Sequence, residues 1–371
     1  MKNIVIIGSG WASASFLKNI NNDDNKYNIT IISPTKEFIY TPLMVNSIFN
    51  NLSINYNILN INQKNNINKN KYIQTKINDI DFEKKKVIFH HNSNSIEYDY
   101  LILAYGSEIN TFNIPGVNEN CLFIKDKEDI TKIKNKLINL NKLKNKPNIA
   151  IIGCGLTGTE LIGNLLDCKK YNIYAIDGLS SPLTIFNNTK ISNYIINLWN
   201  NYKVQLYFNN FVQKIDNKKI YFKNDVINYD LVFWCGGIKA SSLTLKLNKK
   251  LNNDCKFGLP VNNKLEVINT KNVFALGDCG FNKTPPSAQV AYQEGKYLAS
   301  CFNNNFKNKK DFIFSNKGQV CYVGKGKSVY SYKKIYFHGS LTGYLNNFIH
   351  LYNAINIEQS YSFCKNMFNK K

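Results

Sequence analysis

Residues 148–177, NIAIIGCGLTGTELIGNLLDCKKYNIYAID, decide the fold. Ile149, Ala150, Ile151 and Ile152 form a short apolar run, the pattern of a parallel strand buried on both faces. The run enters Gly153-Cys154-Gly155-Leu156-Thr157-Gly158. An apolar-periodic segment follows, then a second strand ending at Asp177. This is a dinucleotide fingerprint in its required strand–turn–helix–strand setting. The first glycine makes the tight turn, the second lets backbone reach a pyrophosphate, and the third lets helix pack on strand. The opening of the helix offers unpaired N–H groups and partial positive charge to the phosphates. A carboxylate at position 177 can accept both ribose hydroxyls and repels a 2′-phosphate, so the pattern predicts NAD(H) over NADP(H).

Residues 3–33 repeat the unit. Ile4–Ile7 reads as a strand, Gly8-Ser9-Gly10-Trp11-Ala12-Ser13 as the turn, Ala12–Ile20 as the helix and Asn28–Ile32 as the next strand. Ser13 stands at the third glycine position and is small enough for close packing. Ser33 stands where the acid is usual, and its hydroxyl can still bond a ribose. Two such units in one chain are how flavoproteins hold FAD and a nicotinamide cofactor together.

The rest of the chain supports an α/β class with two Rossmann-type units. Strands are expected over Tyr72–Ile80, Lys86–His91 and Tyr98–Ala104, the last leading to Gly106. The polar, Asn-rich stretch up to Lys71 reads as a surface loop with a short helix. Asp126–Leu143 and Ser287–Phe302 have helical periodicity. The strand ending Trp234-Cys-Gly-Gly237 runs into glycine again, and Asn272-Val-Phe-Ala-Leu-Gly277-Asp278 closes on an acid. Gln319–Val323 and Ser328–Phe337 read as strands before a final helix. On that helix Leu341, Leu345, Phe348, Tyr352 and Ile355 follow a 4, 3, 4, 3 spacing, an apolar stripe.

The 371 residues carry a net charge of +22, with lysine as the sole strong base. Without arginine forks or a nucleic-acid motif, the charge points to an anionic membrane surface and not to nucleic acid. The 9 cysteines show no C-x-x-C pair and no spacing with histidine for a metal, so reduced thiols and no metal site are expected. The sequence opens on a strand, so no cleaved presequence is expected, and no stretch is apolar enough to span a bilayer.

In order, these motifs resemble the type II (alternative, rotenone-insensitive) NADH:ubiquinone oxidoreductases of the pyridine nucleotide-disulfide oxidoreductase superfamily. The resemblance rests on Ile32-Ser33-Pro34 with Phe38-Ile-Tyr-Thr41-Pro42-Leu43; on Tyr98-Asp-Tyr-Leu-Ile with Asn110-Thr-Phe-Asn-Ile-Pro-Gly116; on Gly155-Leu-Thr-Gly158-Thr-Glu160; on Gly258-Leu-Pro-Val261; on Asn272–Asp278; and on Pro285-Pro-Ser287-Ala288-Gln289-Val-Ala-Tyr-Gln293-Glu-Gly. Thr35, Val45 and Asn164 depart from the family pattern, where an arginine, a proline and a second acid stand.

The resemblance implies the glutathione-reductase type of fold. The FAD-binding domain is expected over 1–112 and 257–312, the NAD(H)-binding domain over 113–256, and a membrane-binding or dimerising region over 313–371. It implies FAD held by Gly8, Gly10, Trp11, Ala12, Ser33, Pro34, Thr41, Gly106, Asp278, Ser287 and Ala288. NADH is expected on Gly153, Gly155, Leu156, Thr157, Gly158, Asp177 and Gly237. Glu160, Gln289 and Gln293 are the expected catalytic residues, the two glutamines as uncharged donors to a quinone. A peripheral place on the mitochondrial inner membrane follows from the resemblance, with the cytoplasmic face of a bacterial-type membrane as the alternative, and a homodimer is possible. The rival readings are a sulfide:quinone oxidoreductase or another NADH-oxidising flavoprotein, and a degenerate NAD(H)-binding protein without activity.

Overall fold

The computed structural model describes residues 1–22, 25–49, 55–57, 70–90, 94–307 and 310–356. The chain divides into two compact units, one drawn from 1–41, 55–108 and 238–315, the other from 42–54, 109–237 and 316–371.

The first unit is built on a parallel five-stranded sheet. Its order is Val273–Ala275, Tyr100–Leu103, Lys2–Ile7, Tyr27–Ser33, Lys71–Gln74. Ile4, Val5 and Ile6 are fully buried, as a strand covered on both faces requires. Strand order reverses beside Lys2–Ile7, which places Gly8 at a topological switch point, where open α/β sheets bind ligands. Helices Trp11–Asn19 and Ala288–Asn303 pack against each other. Gly295 makes this possible, since a Cβ there would collide with the Ala12 carbonyl.

Two readings of this unit need correction. Tyr72–Ile80 is not one strand. Lys71–Gln74 extends the parallel sheet, whereas Ile77–Asp81 turns away to pair antiparallel with Lys86–Phe89. Continuous β propensity cannot reveal a change of partner. Residues 238–256, expected in the nucleotide domain, group with the first unit because Leu247 of helix Ser242–Lys250 and Leu251 just after it join the core of Val5, Leu101 and Val273.

The second unit repeats the design with a four-stranded parallel sheet: Gln205–Tyr207, Asn172–Ile176, Asn148–Ile152, Leu231–Trp234. Order reverses again beside Asn148–Ile152, so Gly153 also sits at a switch point. Helix Leu156–Cys168 lies on strand Gln319–Gly324 of an antiparallel three-stranded sheet. Their contact is backbone on backbone: a Cβ on Gly163 would stand 2.7 Å from the Gly324 nitrogen. Within the Asn-rich stretch, the short helix Met44–Phe49 buries Met44, Val45, Ser47 and Ile48 and packs on helices Lys127–Leu140 and Leu156–Cys168. It is therefore core material and not only surface loop.

Ser328–Phe337 is likewise two strands, Lys327–Tyr332 and Ile335–Gly339. The turn between them uses Lys333 at φ +53°, left-handed backbone on a residue that gives no turn signal. Helix Ser340–Asn356 packs on this sheet with an inverted polarity. Thr342, Asn346 and His350 are buried, whereas Leu341 is 85% and Phe348 62% exposed. Tyr352 and Ile355 of the expected stripe carry side chains outside the described residues. No helix among the described residues is long and apolar enough to cross a membrane.

Candidate functional site: two helices opened by glycine

Helix Leu156–Cys168 begins at Gly155 with no side-chain cap, and helix Trp11–Asn19 begins at Gly10 in the same way. Four other helices are closed: Asp126, Asn188, Ser241 and Ser287 each accept a first-turn backbone N–H. Leaving first-turn N–H groups without a side-chain acceptor costs stability, on the order of 1 kcal/mol per missing cap. A cap side chain would also fill the space an anion needs. Ideal Cβ atoms on Gly10 and Gly155 meet nothing within 4 Å, so both N-termini open onto free space. The residues fit two dinucleotides.

In the second unit Gly153 lies at φ +96°, with the Cys235 carbonyl crowding any Cβ. Gly158 packs on the Gly153 carbonyl so tightly that a Cβ would collide. Leu156 and Thr157 form the first turn behind the loop. Thr159, fully buried, donates its hydroxyl to the Cys154 carbonyl at 3.0 Å. Asp177 is part of the loop's own framework: one carboxylate oxygen accepts the Cys154 N–H at 2.6 Å and the other the Leu179 N–H at 2.8 Å. Gly237, at φ +108°, follows the neighbouring strand with open space at its missing Cβ.

No sequence motif marks Phe211. Its chain segment is tied to the Asp177 turn by Asn209 N–H to Leu179 O and Asn210 N–H to Asp177 O. Its ring covers Gly178, 2.5 to 3.0 Å from where a Cβ would stand, and is 73% exposed. An exposed aromatic face beside the acid expected to bind ribose has no signal in a single sequence.

Glu160 lies one turn into helix Leu156–Cys168, beside Tyr322 and Cys321 of strand Gln319–Gly324. The residue keeps a partial opening to solvent but sits in a protein-dense surround, and desolvation pushes its pKa up to about 8. Asn164, where the family pattern has an acid, is buried and donates to the Glu160 carbonyl at 2.8 Å. It thereby avoids a second buried charge.

In the first unit Gly8 lies at φ +110° against the Ala104 carbonyl. Ser13 is fully buried in the third glycine position, and Ala12 faces helix Ala288–Asn303. The Trp11 indole donates to Thr41 Oγ1 at 2.9 Å, with its ring against Phe38 and Tyr40. Ser33 is buried and donates to the Ser9 hydroxyl at 3.0 Å, and its carbonyl accepts the Tyr72 hydroxyl at 2.7 Å. The next residue, Pro34, is exposed and accepts from Gln74 at 3.1 Å. Gly106, at φ +77°, has open space at its missing Cβ.

Asp278 accepts the Ser107 hydroxyl at 2.9 Å, and burial raises its pKa. Ser287 caps helix Ala288–Asn303 at the Val290 N–H, so Ala288 is its first residue. Gln289 and Gln293 lie one turn apart on this helix, both partly exposed. Gln293 has a partner at each end of its amide: Nε2 donates to the Ser315 carbonyl at 2.9 Å and Oε1 accepts the Ser315 N–H at 3.0 Å. Its neighbour Glu294, which lies in the Ser287–Gly295 motif with no role expected for it there, is 3% exposed, and desolvation lifts its pKa to about 7. Among the described residues no cluster of histidine, cysteine and acid could hold a metal ion.

Residues 2–295 match the family model described as pyridine nucleotide-disulphide oxidoreductase. A probable NADH dehydrogenase of Dictyostelium discoideum is 31% identical over 88% of this chain and 80% of its own length. A probable mitochondrial NADH-ubiquinone oxidoreductase of Schizosaccharomyces pombe is 26% identical, over 88% of this chain and 73% of the relative. NDH2 of Plasmodium falciparum, solved in complex with NADH, superimposes with a TM-score of 0.90 over 99% of this chain and 97% of that one, at 24% identity, and shows the same fold. Two glycine-opened helices at the switch points of two parallel sheets, with Asp177 directly after a strand and Asp278 in the turn that follows another, accord with these likenesses: the chain belongs to the pyridine nucleotide-disulphide oxidoreductase family and, within it, to the type II NADH dehydrogenases.

Proposed function

We infer that the chain is an FAD-dependent enzyme that takes a hydride from NADH and passes the electrons to a membrane quinone, without pumping protons. The observation that carries this is the pair of uncapped helix N-termini, each open to an anion, in a family of NADH-oxidising enzymes. When bound, FAD supplies the two-electron redox chemistry. Gly8, Gly10, Trp11 and Ala12 would hold its pyrophosphate, with Ser33, Pro34 and Thr41 toward the adenosine. Asp278, Gly106, Ser287 and Ala288 would hold the ribityl–flavin part, and the Ser287-capped helix would present its dipole to negative charge on the flavin.

NADH would lie on Gly153, Gly155, Leu156, Thr157 and Gly158, its ribose on Asp177 and its adenine against the exposed Phe211 ring, with Gly237 leaving room for the nicotinamide half. Glu160 holds a proton at neutral pH because its pKa is raised to about 8. Gln289 and Gln293 would donate to the quinone carbonyls; Ser315 already fixes the direction of the Gln293 amide. The outward apolar face of helix Ser340–Asn356 supports peripheral association with an anionic membrane. The mitochondrial inner membrane is the proposed place, in keeping with the mitochondrial relative from fission yeast. A homodimer through the same face is the other use of that surface.

Sulfide chemistry is disfavoured on physical grounds. It needs reactive thiolates, yet burial pushes Cys121 up to about 12 and Cys154 and Cys321 well above the ordinary thiol value. The test is a pair of half-reactions. Anaerobic NADH should bleach the flavin band of purified protein, and a short-chain quinone should restore it. Protein without flavin, or flavin that NADH does not reduce, would overturn the reading.

A further inference from the structure

Glu294 is a deeply buried acid that the proposed function leaves without a task. One oxygen of its carboxylate accepts the Gly277 N–H at 2.5 Å, and the other accepts the Asn282 side-chain amide at 2.8 Å. The Asn282 side-chain oxygen in turn accepts the Thr284 N–H at 3.0 Å. Gly277 immediately precedes Asp278 and sits at φ +65°, at the start of the single turn Gly277–Cys279. A carboxylate on helix Ala288–Asn303 thus holds both ends of the loop that presents Asp278. The following residue, Gly295, sets that helix on Trp11–Asn19. Glu294 and Gly295 therefore link, through adjacent backbone, the loop of Asp278 and the helix expected to meet the FAD pyrophosphate.

We propose that Glu294 is a positioning residue for FAD: by accepting from Gly277 and Asn282 it fixes the loop so that the Asp278 carboxylate meets the ribityl hydroxyls. This rests on the FAD reading above. Polar pairing makes the claim specific. Both partners are donors, so only an acceptor at each oxygen serves; a carboxamide, nearly isosteric, must set its NH2 against one of them.

The test uses the purified holoenzyme and reads FAD release, followed by the rise in free-flavin fluorescence, together with the visible flavin spectrum. E294Q should release FAD roughly 10- to 150-fold faster, the loss of one charge-assisted hydrogen bond. The double variant E294Q/N282D should recover to within about threefold of the parent. There the carboxamide oxygen at position 294 takes the Gly277 N–H, and its NH2 meets the carboxylate at position 282. The second oxygen of that carboxylate keeps the Thr284 N–H. A side chain that served only bulk stability would lower the melting temperature of apoprotein, which the reversed pair would also restore, and would leave FAD release at the parent rate. If E294Q does not fold, Asn282→Ala, which removes one bond to the acid, should still release FAD several-fold faster. FAD release at the parent rate in E294Q or N282A, or a folded double variant as leaky as E294Q, overturns the proposal. Flavin-free parent protein would instead overturn the FAD reading itself.

Discussion

Asp177 accepts the backbone N–H of Cys154 at 2.6 Å, so the acid expected to read the ribose also braces the glycine loop expected to hold the pyrophosphate. If Asp177 reads the ribose, specificity and loop geometry are coupled in one side chain. The unmodified enzyme should prefer NADH over NADPH by roughly 30- to 1000-fold in kcat/KM, from lost hydrogen bonds and charge repulsion of about 2–4 kcal/mol. Asp177→Ser should shrink that preference without producing a good NADPH enzyme, because the loop loses its brace for both nucleotides. Steady-state kinetics with each nucleotide check this. Equal use of both by the unmodified enzyme would remove Asp177 from the ribose site.

Phe211 offers a second handle on the same nucleotide. Phe211→Ala should raise the dissociation constant for NADH about 5- to 100-fold, the worth of roughly 1–3 kcal/mol of base stacking. Phe211→Trp should bind near normally. Titration calorimetry with NAD+, which shares the adenine half and does not reduce the flavin, reads the affinity, and an unchanged kcat at saturating NADH separates it from a catalytic defect. Normal binding by Phe211→Ala would put the adenine elsewhere.

Glu160 makes stability depend on pH with a definite sign. Its pKa rises from 4.5 to about 8 on folding, so between those values the folded state holds the extra proton. Stability is then lost as pH rises through that window, and the cost of the buried charge is complete above about 8. Glu160→Gln has no such cost. Its melting temperature should gain on the parent as pH is raised through this window and past its upper end, by a few degrees given the partial opening to solvent. Parallel melting curves for the two proteins would contradict the burial argument.

Gln293 should matter to the quinone half-reaction and not to the NADH half. Replacing Gln289 or Gln293 by leucine keeps approximate volume and removes the donors. Reoxidation by quinone should slow about 5- to 150-fold, while anaerobic reduction by NADH stays within a few-fold. In Gln293→Leu the Ser315 backbone also loses both bonds to this side chain, so a stability loss specific to that variant is expected. Stopped-flow measurement of each half-reaction separates the two effects. Normal reoxidation in both variants would move the quinone site away from this helix.

The exposed face of Ser340–Asn356 should bind vesicles. Leu341, Leu345 and Phe348 lie on it, and strand Ile335–Gly339 adds the exposed Ile335 and Phe337. Leu341→Glu with Phe348→Glu should weaken sedimentation with anionic liposomes at least about tenfold, since each buried side chain contributes about 1.5–3 kcal/mol. Salt should weaken what remains. Unchanged binding together with a shift from dimer to monomer by light scattering would assign the face to self-association.

The two nucleotide units were legible in the sequence because their signals are local. A buried strand needs an unbroken apolar run, a tight turn needs glycine, and an acid at a strand end stands at a fixed distance from both. Ile149–Ile152, Gly153, Gly155, Gly158 and Asp177 therefore declare themselves within one short stretch. Tertiary structure decided what depends on partners distant in sequence. It split Tyr72–Ile80 between two sheets and placed residues 238–256 with the first unit, because pairing and core membership are not written in propensity. It joined Glu294 to Gly277 and Asn282, and Gln293 to Ser315, across 12 to 22 residues of chain. It also turned the polar face of the last helix inward: periodicity fixes which residues share a face, but only the packing of Thr342, Asn346 and His350 decides which face meets the protein.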